Sequence, residues 1–480
     1  MSANKPGSLL TRRDFLRFCA VALGAATASS LVGACAPAAA PAPTTAPAAP
    51  ATKAPEAAAA PTPTTAPAAK EATKGKLSFW PRREYADELN TYIEQQAKAY
   101  ASDNGFDIEV TFTPIGEEEQ AKWKAAQEAG TLPDVGIGGN FSNHVVTGIA
   151  ADVSDIYDEI GKGNGGWFDW ATGYVTRGGK KVGLAYAGYP WVTYYWQTPF
   201  KEAGYTLPLK DFDQFVEAAK KITKPDKDFY AVGFPFASTD TPMHVAEGIW
   251  GFGGAMQDAE GNPTVLTPES IDGVTWYAEL YSKHKVVPPG ATGWTPVDNN
   301  KFYLGRKGAV CYNLGSLTTA LRKDDEALLK DSYLGTMPPG PKGEVPCVLG
   351  VQVMIVNANS KFPEQARGLA KHILSPKVYP TLLVKAGGLI SPTMKDPAKL
   401  PFFTEDPYNK PVMERILPGG RVQGYPSYDT PWLEEATSQN WWPEALQAIV
   451  LKNTSPKDAL TVLQKKLEES KAKWERAMKR

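Results

Sequence analysis

Apolar residues recur along this chain in two periods. From residue 76 they first alternate. Lys76-Leu77-Ser78-Phe79-Trp80 reads as a short strand, and Ile108-Glu109-Val110-Thr111-Phe112 as a second. Between them Leu89, Tyr92, Ile93, Gln96, Ala97 and Tyr100 fall on one face at three-to-four spacing, which predicts a helix. Residues 121–129 are predicted helical, and 134–140 a third strand ending in a Gly-rich turn. The order βαβαβ implies parallel strands with crossover helices. In such sheets ligands bind beyond the carboxyl ends of the strands. Further on, the pattern predicts a helix over 209–223, a strand over 230–234 and a helix over 241–250. Thr267-Pro268-Glu269 reads as the N-cap, first-turn proline and first-turn acid of a helix running to about residue 285. Strands over 307–313 and 348–356 follow, then an amphipathic helix over 363–374. A last long helix starts at Ser455, with Leu460, Leu463, Leu467 and Trp474 on its buried side.

One stretch breaks the pattern. Tyr186, Tyr189, Trp191, Tyr194, Tyr195 and Trp196 crowd into eleven residues, interrupted by Gly188 and Pro190. Aromatic side chains suit a half-buried pleated surface, but a proline cannot donate to the ladder of a central strand. The stretch therefore reads as a strand that leaves one sheet, kinks at Pro190 and enters another. Tyr189 and Trp191, beside the kink, are expected to face a cleft between two lobes. Trp191→Ala is expected to weaken solute binding more than it lowers the melting temperature.

The N-terminus changes the picture of where the chain works. Thr11-Arg12-Arg13-Asp14-Phe15-Leu16 precedes an apolar run from Phe18 to Ala28, and Leu31-Val32-Gly33-Ala34-Cys35 follows. A basic start, a short apolar run and small residues make an export signal, and the arginine pair marks the Tat route. The residues around Cys35 resemble a lipobox, so 1–34 are expected to be removed and Cys35 lipidated. Residues 35–75 are almost entirely Ala, Pro and Thr and predict a disordered, extended tether. Without residues 1–34, Lys+Arg falls from 51 to 47 and Asp+Glu from 52 to 51, a formal charge of −4. That balance argues against nucleic acid as a partner. No later run approaches the roughly 18 apolar residues of a spanning helix, which leaves the lipid as the membrane attachment. The remaining body is too long for one typical core and suggests two lobes. Cys311 and Cys347 are either disulfide-bonded, as an exported compartment permits, or two buried free thiols.

The order of segments then resembles a known family. KLSFW, LPDVGIGGN, GKKVGLAYAGYPWVTYYWQTPFKEAGY, KGAVCYNLGS, CVLGVQVMIVNANSKFPEQARGLAKHIL, KAGGLISPTMKD and SPKDALTVLQKKLEE together span 76–480. They are similar to segments of the extracellular solute-binding proteins of ABC transporters, in the sugar-binding, maltose-binding-protein-like group. The resemblance implies a two-lobe α/β fold of the type II periplasmic-binding kind, each lobe a mostly parallel sheet flanked by helices. It implies an N-terminal lobe of 76–187 with 351–395, a C-terminal lobe of 188–350 with 396–480, and closure about hinge strands. It further implies a non-catalytic, monomeric receptor that needs no cofactor or metal. Such a receptor passes a small solute, mono- or oligosaccharide, to a permease driven by an ATPase on another chain. No Walker A motif occurs here.

A sugar presents hydroxyls at its ring edge and C–H patches on its faces, so its site pairs planar aromatics with planar polar groups. The candidate residues at loop and hinge positions are Trp80, Tyr189, Trp191, Trp250, Trp294 and Trp432, with Asn140, Phe141 and Asn313. Arg82, Arg83 and Glu118 are further polar candidates, and Gly350 is expected to allow close backbone approach. The Arg82-Arg83 pair also fits an anionic solute such as a uronate or a glycerol phosphate. A rival class is an exported glycoside hydrolase with two cleft carboxylates. His144, His244, His284 and His372 lack metal-ligand spacing, and no GxSxG motif occurs.

Overall fold

A computed structural model describes residues 75–478. The signal, Cys35 and nearly all of the tether lie outside the described residues. Strand β1 (Lys76–Trp80), helix α1 (Asp87–Asp103), strand β2 (Asp107–Val110), helix α2 (Glu117–Ala129) and strand β3 (Val135–Ile137) open the body. β1 runs parallel to β2 and to β3, with Phe79 opposite both Val110 and Val135. After the turn at Gly138 and Gly139 come helices α3 (Phe141–Val146) and α4 (Asp169–Val175), then strand β4 (Leu184–Pro190). Strand β5 (Val192–Trp196) begins one residue later.

The second half adds helices α5 (Phe212–Ile222), α6 (Thr241–Gly251) and α7 (Pro268–Ser282), and strands β6 (Val310–Asn313) and β7 (Ser332–Gly335). Both α5 and α7 start on side-chain caps: Asp211 accepts from the Gln214 N–H and Thr267 from the Ser270 N–H. Strand β8 (Leu349–Val356) leads to helix α8 (Pro363–Ile373), and helices α9 (Pro431–Ser438), α10 (Trp441–Lys452) and α11 (Pro456–Met478) end the body. Residues 230–234, expected as a strand, make only a bridge from Val232 to Val310. Strand β7 and the helices of one or two turns between 397 and 438 are too short for a period to show.

Two sheets result. One has the order β2-β1-β3-β8-β4, with β8 antiparallel to both neighbours; the other has the order β6-β5-β7 and is wholly antiparallel. The aromatic stretch runs from one into the other. Tyr186 and Tyr189 belong to the core around the first sheet, Trp191 and Tyr195 to the core around the second, and Tyr194 to a third, smaller cluster. Trp191 sits at the passage, where its N–H donates to the Val348 carbonyl (2.8 Å) just before β8 begins. Pro190 is tolerated because it is the last residue of β4, where no further ladder bond is needed. A second contact between distant segments lies close by, as Gly188 and Ser391 exchange backbone hydrogen bonds of 3.0 and 2.8 Å. The first core also takes in Phe403, beyond residue 395.

Cys311 and Cys347 are free thiols, buried in the third cluster. Their sulfurs approach different carbonyls, those of Asn299 (3.6 Å) and Ile416 (3.4 Å). The disulfide alternative is thereby overturned. Burial pushes both thiols above their usual range, and the carboxyls of Asp240, near Cys311, and Glu247, near Cys347, add to it.

Candidate functional site

A cavity of ≈ 240 Å³ opens where β4 passes into β5 and β8 begins. Its floor is backbone and side chain of the hinge strands: Tyr189, Trp191, Gly350 and Gln352. One wall comes from the turn after β3 and the helices beside it, through Gly138, Gly139, Phe141, Glu119 and Tyr174. Glu434 of α9 and Leu314 close it from the other side. Gly350 pairs with Tyr189 across the ladder, and a Cβ there would lie 3.3 Å from the Tyr189 Cβ.

A polar network ties the floor together. Arg82 makes a two-pronged ion pair with Glu84, Nε to Oε1 at 3.0 Å and Nη2 to Oε2 at 3.1 Å. Tyr189 donates its hydroxyl to Glu84 Oε1 (2.8 Å). The Gln352 amide is oriented so that its oxygen accepts from Arg82 Nε (2.8 Å) while its nitrogen donates to the Tyr189 hydroxyl (2.7 Å) and Glu84 Oε1 (3.2 Å). Arg82 also lies 5.2 Å from the centre of the Tyr189 ring. Its guanidinium charge is therefore matched before any solute arrives.

Two further carboxyls face the cavity. Glu119 accepts from the Gly139 N–H (2.8 Å), and burial raises its pKa against the opposing pull of Arg82 and that N–H. Glu434 is raised to about 8, first by burial and then by the neighbouring Asp429. Phe141 stacks on Tyr174 at 5.7 Å, so the wall is aromatic as well as acidic.

Of the residues expected from the sequence, Arg82, Phe141, Tyr189, Trp191 and Gly350 line this cavity. Trp191 is only 7% exposed, and its ring packs against Tyr312 (5.2 Å) and His244 (5.6 Å). It is a core residue with one face on the cavity, so stability and binding cannot be separated by removing it.

The others lie elsewhere. Trp80 meets Trp123 edge to face, under the Lys122 ammonium. Arg83 is exposed, its guanidinium over the Phe112 ring. Glu118 points to solvent because the buried face of α2 runs through Glu119, Trp123 and Ala126, one position away. Asn140 is spent as the N-cap of α3, accepting from the Asn143 N–H, and borders a separate groove. Trp250 is sealed in the second core, because α6 is buried on nearly every side. Trp294 is half-buried against Phe302. Asn313 is buried and held by the Asn300 side chain and the Leu314 N–H. Trp432 is buried, with its indole N–H on the Gly261 carbonyl (3.0 Å).

Glu84, Glu119, Tyr174, Gln352 and Glu434 were not anticipated. Glu119 has a legible signal, its helical phase with Trp123 and Ala126. Glu434 has none, because the residues it meets are nearly 300 positions away in the chain.

Residues 95–411 match the model of the bacterial extracellular solute-binding proteins. The chain belongs to that family. A relative in Deinococcus radiodurans, described as a probable ABC transporter-binding protein, is 24% identical over 241 residues, 48% of this chain. That match spans 56% of the relative's own length, little more than half.

Among solved structures, maltose-bound MalE3 of T. maritima superposes with a TM-score of 0.68 at 21% identity, over 82% of this chain and 99% of that one. A sugar transporter of Arthrobacter chlorophenolicus A6 with bound laminaribiose gives 0.70 at 18% over the same shares. So does a Thermotoga lettingae solute-binding protein bound to α-D-tagatose. This solute-binding protein therefore has the two-lobe, type II periplasmic-binding fold. The cavity lies where strands pass from the five-stranded sheet into the three-stranded one.

Proposed function

We propose that this protein is an extracytoplasmic receptor that holds a neutral, polyhydroxylated solute, a carbohydrate, in the hinge cavity and delivers it to the permease of an ABC importer. The observation that carries this reading is the pairing, in one small cavity, of aromatic planes with hydrogen-bonding groups. Phe141, Tyr174, Tyr189 and Trp191 offer ring faces, while Glu119, Gln352 and Glu434 offer polar edges. Family membership supports binding rather than turnover, and the solutes of the related structures support carbohydrate as the class. An anionic solute is disfavoured, because the guanidinium in the wall, Arg82, already carries Glu84.

The receptor would be held outside the cell by a lipid on Cys35, at the end of the 35–75 tether. It would close as two lobes, 76–187 with 351–395 and 188–350 with 396–480, about the Pro190–Trp191 passage.

A thermal-shift screen tests the reading. Maltose, laminaribiose and D-tagatose are compared with galacturonate and glycerol 3-phosphate, and products are assayed in parallel. A neutral sugar that raises the melting temperature and is recovered unchanged is the expected result. Stabilisation by the anions alone would overturn the carbohydrate assignment. Sugar turnover would make the pair Glu119 and Glu434 a hydrolase centre instead.

A further inference from the structure

Glu434 stands out among the charged walls of the cavity. It lies in the first turn of α9 and reaches toward α3, on the far side of the cleft, where its Oε1 accepts from the Ser142 N–H at 3.4 Å. Ser142 reinforces the contact by donating its hydroxyl to the Asp429 carbonyl at 2.5 Å. Tyr174 of α4 donates to Asp429 Oδ2 at 3.3 Å, and Arg177, just after α4, lies 4.9 Å from the Tyr428 ring centre. These contacts form a seam between the α3–α4 region and the segment 428–434.

The other carboxylate oxygen of Glu434 is different. Oε2 is buried and has no hydrogen-bond partner among the described residues, although Glu434 is a wall of the cavity. The remaining charged walls are engaged, Arg82 by Glu84 and Glu119 Oε1 by the Gly139 N–H. A buried acceptor left unpaired is unfavourable, and a group that completes it gains accordingly. A hydroxyl is such a group, because it both donates and accepts.

We infer that Glu434 is the residue through which a bound solute closes the seam: its Oε2 exchanges a hydrogen bond with a solute hydroxyl while its Oε1 holds the Ser142 N–H. The inference rests on the carbohydrate reading above. It adds a specificity rule, that the solute must place a hydroxyl at this carboxyl. It also adds a coupling, since one side chain touches both the solute and the opposite side of the cleft. A solute that satisfies Oε2 fixes the Glu434 rotamer that reaches Ser142, and a formed seam in turn presents Oε2 to the solute.

Calorimetric titration of the wild type and three variants with maltose, laminaribiose and D-tagatose tests this. Glu434→Ala removes both bonds and is expected to weaken the binding sugar by about ten- to hundredfold. Glu434→Gln keeps a donor and an acceptor in the same place, and is expected to stay within about threefold of the wild type. Ser142→Ala lies outside the cavity wall, keeps the backbone N–H and removes the hydroxyl, with its bond to Asp429 and its interaction with Glu434. It is expected to weaken the same sugar several-fold, which a residue without a link to the cavity would not do. Should Glu434→Ala fail to fold, Glu434→Asp serves in its place, one methylene too short to span the seam, with the same loss expected. Wild-type affinity in Glu434→Ala or Glu434→Asp would overturn the inference and leave the carbohydrate reading standing. Failure of the wild type to bind any of the three sugars would sink both.

Discussion

At the residue scale, the Arg82–Glu84 pair decides what charge the cavity shows. Tyr189 and Gln352 complete its hydrogen bonds, so both charges are accommodated without a solute. Glu84→Gln keeps the shape and removes the negative charge. Arg82 then loses its paired carboxylate and keeps only the more distant Glu119 as an acidic neighbour. The Arg82 side chain is 23% exposed, so the loss is expected below that of a fully buried pair, about 2 kcal/mol. The same change is expected to bring measurable galacturonate affinity, by titration, where the wild type shows none; its absence would mean that Arg82 does not face the solute. Trp191 poses the opposite case. Trp191→Ala empties a core position against Tyr312 and His244 and is expected to cost about 3–5 kcal/mol in denaturant unfolding. Trp191→Phe keeps most of the packing, so its affinity loss reports the cavity face. An unchanged affinity in Trp191→Phe would place the ring wholly in the core.

At the scale of elements, the hinge region depends on close approach of backbones. Gly315 caps the helix Ser316–Asp324, and a Cβ there would fall on the Gly388 carbonyl, far inside contact. The Thr319 hydroxyl donates to the carbonyls of the same loop, Ala386 and Gly387. Because the clash is with backbone, no side chain can yield to relieve it. Gly315→Ala is therefore expected to part the two segments, lowering the melting temperature and weakening sugar binding together. A normal melting temperature with normal affinity would show the contact to be dispensable. Nothing in the hydrophobic pattern announces this pinch point. What the pattern does show is the set of strongly periodic elements: β1, α1, α2, β3, α5, α7, β8 and α11 fall within a few residues of their expected positions. It also shows the aromatic stretch, because Gly188 and Pro190 mark a place where a strand must change sheets. The site is half legible for the same reason. Tyr189, Trp191, Gly350, Arg82 and Phe141 stand at strand ends and turns, which local pattern can find. Glu84, Gln352 and Glu434 matter through partners far away in the chain, and tryptophans such as Trp250 and Trp432 look alike in sequence whether they line a cleft or fill a core.

At the scale of the whole molecule, burial of titratable groups sets the pH range in which the fold is most stable. Glu119, Glu247, Glu434, Asp240 and Asp429 are all raised, chiefly by burial, with Asp240 at about 7 and Glu434 at about 8. A raised carboxyl binds its proton more tightly folded than unfolded. Its contribution is complete below the ordinary carboxylate range and disappears as pH rises through the folded value. His144 and His244 act in the opposite direction. Burial lowers both to about 4, so their contribution is complete above the ordinary histidine range and is lost as pH falls toward 4. The depressed carboxyls Asp152 and Asp298, each at about 2, matter only at still lower pH and lie near the surface. Between the ordinary carboxylate and histidine values the two sets oppose each other. Above the histidine range the carboxyls act alone, and stability must fall with rising pH. The melting temperature is accordingly expected to be higher at pH 5.5 than at pH 8.5 when followed by calorimetry in matched ionic strength. The double variant Glu247→Gln, Glu434→Gln keeps both shapes without a proton to lose and is expected to flatten the alkaline limb. A wild-type melting temperature that rises from pH 5.5 to 8.5 would mean that these carboxyls ionise freely in the folded state. Glu434 would then be a solvated carboxylate on the cleft rim rather than a buried acid in its wall.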